Sequence, residues 1–282
     1  TSASAPTEGP PTVRFAICNE IFQGWKIDDV FTHCARLGYG AVEVAPFTLA
    51  PHVTDIPAAE RTRIREAAAR AGIAISGIHW VLVQTEGMHL TSPDPSTRAR
   101  TARYFVDLVD FCADLGGEVI VVGSPKQRSL SDGVSSEQGW AWMAETFRPS
   151  IKRAEERGVT ICLEPLPAED TNFINTAEEA VRFAREQGSP RFKVILDVRA
   201  MSHEERPVPD IIRACRGEFA YVHANDRNLK GPGFGEVDFR PIAASLREAG
   251  YDGTVSVEVF RFDEGPEVIA SRSLEHLRKT FS

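Results

Sequence analysis

The sequence predicts an α/β chain folded as a single-domain (β/α)8, or TIM, barrel, and three observations carry that expectation. Seven times a helical-looking segment closes on a glycine and passes directly into a β-rich run, at Gly38, Gly72, Gly116, Gly158, Gly188, Gly217 and Gly250. The intervals of 34, 44, 42, 30, 29 and 33 residues each suit one strand plus one helix with its loops, and glycine suits the left-handed position just past a helix end. An opening strand at Val13–Asn19 makes the total eight. Lastly, four successive apolar runs each end in a residue able to ligate a divalent cation, and strand C-termini are where barrels of this kind keep their sites.

Taken in order, the first run ends at Asn19-Glu20 and the second passes through Glu43 to Pro46-Phe47. The third ends at His79-Trp80, and the fourth at Ser124-Pro125-Lys126-Gln127-Arg128. The fifth, Val159–Leu163, delivers Glu164 between a glycine before it and prolines after it. Val194-Ile-Leu-Asp197, Phe219-Ala-Tyr-Val-His223 and Val255-Ser-Val-Glu258 repeat the design. Helix starts agree. Asp94-Pro95 sets a capping acid before a proline at the first helical position, and Thr176-Ala-Glu-Glu179 reads as a capping box. An open doubly wound sheet is the competing architecture, but its Gly-x-Gly-x-x-Gly is missing after the first strand, where the chain has Cys18-Asn19-Glu20. Residues 13–282 are read as the barrel and residues 1–12, rich in Ser, Pro and Thr, as a disordered lead-in.

Composition narrows the function. With 282 residues, 42% apolar and 26% charged, the chain can bury a large core. A net charge of −8 without clustered Lys or Arg excludes a phosphate-backbone binder, so no nucleic-acid partner is expected. No run reaches the roughly 18 apolar residues a membrane span needs, so no membrane partner is expected either. Five dispersed cysteines, Cys18, Cys34, Cys112, Cys162 and Cys215, read as buried free thiols and point to a reducing, cytoplasmic setting. Whether the chain forms a homo-oligomer is left open.

Three carboxylates and an imidazole suit one hard or borderline divalent ion, Mn²⁺, Mg²⁺, Co²⁺ or Zn²⁺; the absence of a thiolate from the set argues against a structural zinc cage. Any one of these residues alone has a plainer explanation as a helix cap or a packing residue. Four on consecutive strands do not.

Over Val13 to about Leu277 the chain resembles the xylose isomerase-like TIM barrels, in particular the sugar phosphate isomerase/epimerase group that includes D-tagatose 3-epimerase, hydroxypyruvate isomerase and inosose isomerase. The resemblance rests on Glu164, Asp197, His223 and Glu258 in order and spacing, with Asn172-Phe-Ile-Asn175-Thr176 after the first Glu and Pro232-Gly233-Phe-Gly235 after the His. It implies that these four residues bind one metal, which polarises a keto-sugar carbonyl and stabilises the enediolate. It also implies that Glu164 and Glu258, across the barrel mouth from each other, are the catalytic acid and base. The chain departs from the epimerase pattern in two places: Ala200 stands where those enzymes carry a substrate-binding His, and Leu229 where they carry an Arg. Substrate grip is therefore expected from His79, Lys126 and Gln127, with Trp80 as an apolar wall, and the substrate is expected to be larger or differently oxidised than a free ketohexose. Arg227, Lys230, Arg199 and His203 are further candidates for grip, each otherwise a solvated loop charge. Glu20 and Glu43 are expected to pair with a neighbouring Arg or Lys, and Trp25, Phe47, Trp140 and Trp142 to be core or interface. The leading expectation is a metal-dependent isomerase or epimerase of a small carbohydrate. A dehydratase or lyase acting on an oxidised sugar or glycoside through the same site is the alternative, and a non-enzymatic sugar-binding protein the third reading. A multi-zinc nuclease on the same barrel is set aside, because seven histidines and an acidic chain do not suit it.

Overall fold

The computed structural model describes residues 12–282, so the segment read as a lead-in lies, but for Thr12, outside the described residues. Eight strands form one parallel sheet: β1 (Arg14–Cys18), β2 (Ala41–Val44), β3 (Ala74–Ile78), β4 (Val119–Val122), β5 (Thr160–Leu163), β6 (Phe192–Asp197), β7 (Phe219–Ala224) and β8 (Thr254–Val257). Each pairs with the next, and β1 pairs with β8, Arg14 to Ile17 opposite Thr254 to Val257, which closes the barrel. The helices between them are α1 (Ile27–Leu37), α2 (Ala58–Ala71), α3 (Pro95–Asp114), α4 (Ser136–Arg157), α5 (Ala177–Glu186), the short pair α6 (Val198–Met201) and α7 (Val208–Ala214), α8 (Phe239–Glu248) and α9 (Pro266–Phe281).

The signals that predicted these elements act as expected. All seven glycines of the repeat have positive φ, from 65° at Gly188 to 96° at Gly38. At Gly38 the residue sits in the left-handed region and its N–H returns to the Cys34 and Ala35 carbonyls, closing α1. The Asp94 carboxylate accepts from the Ser96 and Thr97 amides at the start of α3, and Thr176 with Glu179 forms the predicted capping box on α5. A second capping box, Ser135 with Gln138, opens α4 and went unremarked in the sequence.

Two compartments make up the interior. Most apolar side chains fill the shell between sheet and helices, Phe31, Phe105, Phe147, Phe183 and Phe192 among them. Inside the barrel itself, Val119, Val121, Cys162, Ile195 and Tyr221 form a small dry cluster on the side of β4 to β7. The side nearer β1 to β3 is polar, with Cys18, Glu43, Ser76 and His79 all fully buried. The β3–β4 seam is short: only Gly77 with Val119 and Ile78 with Ile120 are in register, against four pairs between β4 and β5. A Cβ on Gly77 would collide with the Val119 carbonyl, so glycine lets the two backbones approach there. All five cysteines are buried and free, as expected. Among the described residues no helix is long and apolar enough to cross a membrane.

Candidate metal centre

Glu164, Asp197, His223 and Glu258 meet at the C-terminal mouth of β5 to β8, each offering one ligand atom, with all four atoms within 4.8 Å of one another. Glu164 and Glu258 are the first residues beyond β5 and β8, and the β6–β7 register sets Asp197 directly beside His223. All four are buried, Glu164 being the most open at 7% exposure. Glu164 has room because Gly123 stands opposite: a Cβ there would lie 2.5 Å from Glu164 Oε2. Arg128, fully buried, donates to the Glu164 carbonyl at 2.5 Å and to the Ile174 carbonyl at 3.0 Å, which ties both sides of the β5 loop to the end of β4.

The donor set fits a divalent cation. His223 Nε2 lies 3.0 and 3.1 Å from the two oxygens of Glu43. Its Nδ1 is 3.1 Å from Glu258 Oε2 and 3.8 Å from Asp197 Oδ2 yet is buried without a hydrogen bond. A carboxylate behind one ring nitrogen fixes the tautomer and aims the other nitrogen at the ion. Asp197 is oriented on both oxygens, Oδ1 accepting from the Ala200 amide at 2.7 Å and Oδ2 from Asn225 Nδ2 at 2.6 Å. Glu258 Oε1 accepts from Trp80 Nε1 at 2.9 Å.

Carboxylates this close repel, and burial adds to the cost. Burial first, then the charges of Asp197 and Glu258, push Glu164 well above the usual carboxylate range. Burial followed by the Glu258 charge raises Asp197 to about 6. Burial alone would also raise Glu258, but the His223 and His79 charges outweigh it and hold that carboxyl well below its ordinary value. A bound cation relieves the same repulsion by supplying the missing positive charge.

Glu43 and Glu20 do not pair with Arg or Lys, which is a correction to the sequence expectation. Glu43 sits inside the barrel, where it accepts from Tyr221 Oη at 3.2 Å and from Cys18 Sγ at 3.3 Å as well as facing His223. Burial works against its ionisation, but His223 and His79 bring it down to about 2. Glu20 Oε2 is 2.8 Å from His79 Nε2. The reason is topological: an acid in the buried run Ala41–Val44 cannot reach a surface cation and must find an internal partner. That was the available signal. Asn225 was missed, although at two residues past His223 it continues the same strand face.

The remaining candidates separate. A cavity of about 560 Å³ opens on the carboxylates and is lined by Trp80, Lys126 and Gln127, with Leu166, Leu229 and Phe260 as apolar wall. Gln127 Nε2 also reaches the Leu82 carbonyl at 3.3 Å. His79 lies behind this surface, fully buried, with Nδ1 3.5 Å from Glu258 Oε1. Arg227 is exposed and lines a different cavity, with Asp226, Asn228 and Glu236. Lys230 is paired with Glu264. Arg199 is no solvated loop charge: it is 8% exposed and bridges Asp170 and Glu169 at 2.8 Å each, because its cavity-side position desolvates it and demands partners. His203 follows it, with Nδ1 2.9 Å from the Arg199 carbonyl. Phe47 is half-buried and stacks on Trp80 at 5.9 Å, so it belongs to the mouth and not to the core. Among the described residues, four of the five non-glycine residues with positive φ, Trp80, Gln84, Ser124 and Leu229, line this one cavity, where strained backbone commonly marks a working site.

Comparisons with known proteins bear on the family and the fold. A family model described as xylose isomerase-like TIM barrel matches residues 31–280. The D-psicose 3-epimerase of Ruminiclostridium cellulolyticum is 29% identical over 244 residues, covering 84% of this chain and 80% of that protein. The 3-dehydro-D-guloside 4-epimerase of Escherichia coli is 24% identical over 267 residues, covering 92% and 97%. A crystal structure of a D-psicose 3-epimerase in the presence of D-fructose superposes with a TM-score of 0.83 at 24% identity over 95% of this chain and 99% of that one, which speaks for the shared fold. The chain belongs to the xylose isomerase-like TIM barrel family.

Proposed function

We propose that this chain is a sugar epimerase or isomerase that uses one divalent cation, Mn²⁺, Mg²⁺, Co²⁺ or Zn²⁺, to move a proton on a carbon next to a keto-sugar carbonyl. The observation that carries the reading is His223 Nδ1, buried without a hydrogen bond and facing three carboxylates while Glu43 holds Nε2. The names of the relatives, a ketose 3-epimerase and a 4-epimerase of an oxidised glycoside, support the same reaction class.

Glu164, Asp197, His223 and Glu258 would hold the cation. Bound there, it supplies Lewis-acid polarisation of the carbonyl and balances the negative charge that develops as the neighbouring C–H proton leaves. The protein's own groups account for the rest. Glu258, oriented by Trp80, and Glu164, given space by Gly123, approach from two walls of the mouth, so one carboxylate can remove the proton and the other return it to the opposite face. Arg128 and Asn225 keep the two strand ends in place, and Leu166, Leu229 and Phe260 exclude water from the carbanionic centre. Trp80, Lys126 and Gln127 are assigned to substrate contact; His79 acts one step back, on Glu258.

The test is metal content followed by proton exchange. After reconstitution, elemental analysis is expected to find close to one equivalent of divalent metal. Under about 0.2 equivalents with the fold intact would end the proposal. The loaded protein, incubated with keto-sugars in deuterated water, should wash deuterium into the carbon beside the carbonyl. Loss of a β-substituent in place of exchange would favour the lyase alternative.

A further inference from the structure

A second cavity, of about 460 Å³, adjoins the first and shares Trp80 and Gln84 with it. Both shared residues have left-handed backbone, φ 53° at Trp80 and 63° at Gln84, so the wall between the cavities is held in a conformation that only its surroundings justify. On the far side of that wall the lining is aromatic and amide-bearing, with Trp25, Phe47 and Phe262 beside Gln23. Trp80 is fixed from three directions: its ring stacks with Phe47 at 5.9 Å and with Phe260 at 6.1 Å, both at 23°, while its Nε1 is bound to Glu258. It therefore stands where the reacting centre and the second chamber adjoin.

Glu20 lines the second cavity at 5% exposure; its Oε2 is taken by His79, and its Oε1 is buried without a hydrogen bond. Flat aromatic faces beside the amides of Gln23 and Gln84 match a pyranose ring, whose C–H faces pack on aromatic rings and whose hydroxyls bond to amide groups. A free ketohexose brings one ring at most and has nothing to place behind Trp80.

We infer that the substrate is a keto-sugar carrying a second pyranose ring, with the keto unit beside Glu164 and Glu258 and the second ring in the chamber of Trp25, Phe47 and Glu20. The inference rests on the keto-sugar reading above and names the substrate class. A glycosidic bond at the anomeric carbon removes a carbonyl from that carbon. The second ring is therefore attached either to another hydroxyl of a ketose or to the anomeric carbon of a sugar oxidised elsewhere on its ring.

The experiment measures deuterium wash-in by the metal-loaded full chain on D-fructose, on 6-O-glucosyl-D-fructose, on a ring-oxidised methyl glucoside and on the matching ring-oxidised disaccharide. The expected result is at least a tenfold higher kcat/KM for one of the two-ring compounds than for its one-ring counterpart, and which pair shows it tells the two attachments apart. Trp25→Ala and Gln23→Ala, both outside the first cavity, are each expected to lower that two-ring to one-ring ratio by at least fivefold; the exposed Gln23 is the variant certain to fold if Trp25→Ala does not. Exchange on none of the four compounds would remove the keto-sugar reading itself. Equal kcat/KM within each pair, or ratios unmoved in the folded variants, would overturn the second-ring site and leave that reading standing.

Discussion

Two sets of ionisable side chains face each other across this barrel, and they differ in what they bind. On β5 to β8, Glu164, Asp197, His223 and Glu258 crowd like charges together and leave an imidazole nitrogen unpartnered. On the side of β1 to β3, Glu20, Glu43 and His79 are bonded to one another's neighbours: Glu43 to His223, Glu20 to His79, and His79 alongside Glu258. The first set leaves a ligand atom free, whereas in the second Glu43 and His79 are held by contacts to the first. An acid at a strand end is thus a ligand or a support according to whether its partner lies inside the protein.

The sharpest way to break that comparison is to neutralise one member of the first set. Glu164→Gln or Glu258→Gln should lower turnover by about 10²- to 10⁴-fold, the range for a lost acid–base group, and should weaken substrate binding far less. Comparable activity in either variant at saturating metal would contradict the assignment. In the second set the effect should be smaller and should appear first in the metal. Glu43→Gln removes the carboxylate that orients His223, and metal affinity measured by competition with a chelator should fall by about 10- to 100-fold. An unchanged affinity would make Glu43 a packing residue only.

A pH series sharpens the comparison further. Asp197 titrates at about 6 and Glu164 well above its ordinary value, so below those points both carry protons that a cation must displace. Metal affinity should rise with pH and fall as pH drops through about 6, by about tenfold per unit for each proton displaced. Glu43, brought down to about 2, stays ionised over the whole range and contributes no step. The smallest effect is expected at Trp80: Trp80→Phe keeps an aromatic partition but deletes the bond to Glu258, and kcat should fall by about tenfold while KM for a one-ring sugar changes little. A change in KM alone would make the indole a binding surface only.

The sequence made the candidate metal set legible because each of its four residues sits where an apolar run stops, and a run that stops is a local signal. Even the repeat of terminal glycines is local, and every one has the positive φ it requires. The supports were not legible for the opposite reason. Glu43 and His223 are 180 positions apart, as Tyr221 is from Glu43 by 178, and only barrel closure brings them into contact. Arg199 was misread because its partners, Asp170 and Glu169, come from the preceding loop, so its burial depended on a fold over which local composition has no say. For Phe47, an aromatic side chain serves cores and binding walls alike, and only the cavity places it at the mouth.

The short seam between β3 and β4 has a consequence for how the barrel breathes. With two residues in register, this joint has the fewest paired residues of the eight. Amide protons of Gly77, Ile78 and Ile120 should exchange with solvent sooner than those of the four-residue β7–β8 joint, where Tyr221 to Ala224 lie against Thr254 to Val257. The loops rising from this short joint carry Trp80 on one side and Lys126 on the other, so the same opening that exposes its amides also parts two walls of the cavity mouth. Protection factors measured around the ring would then trace a route of entry, with the candidate metal-binding residues anchored in the slowly exchanging half.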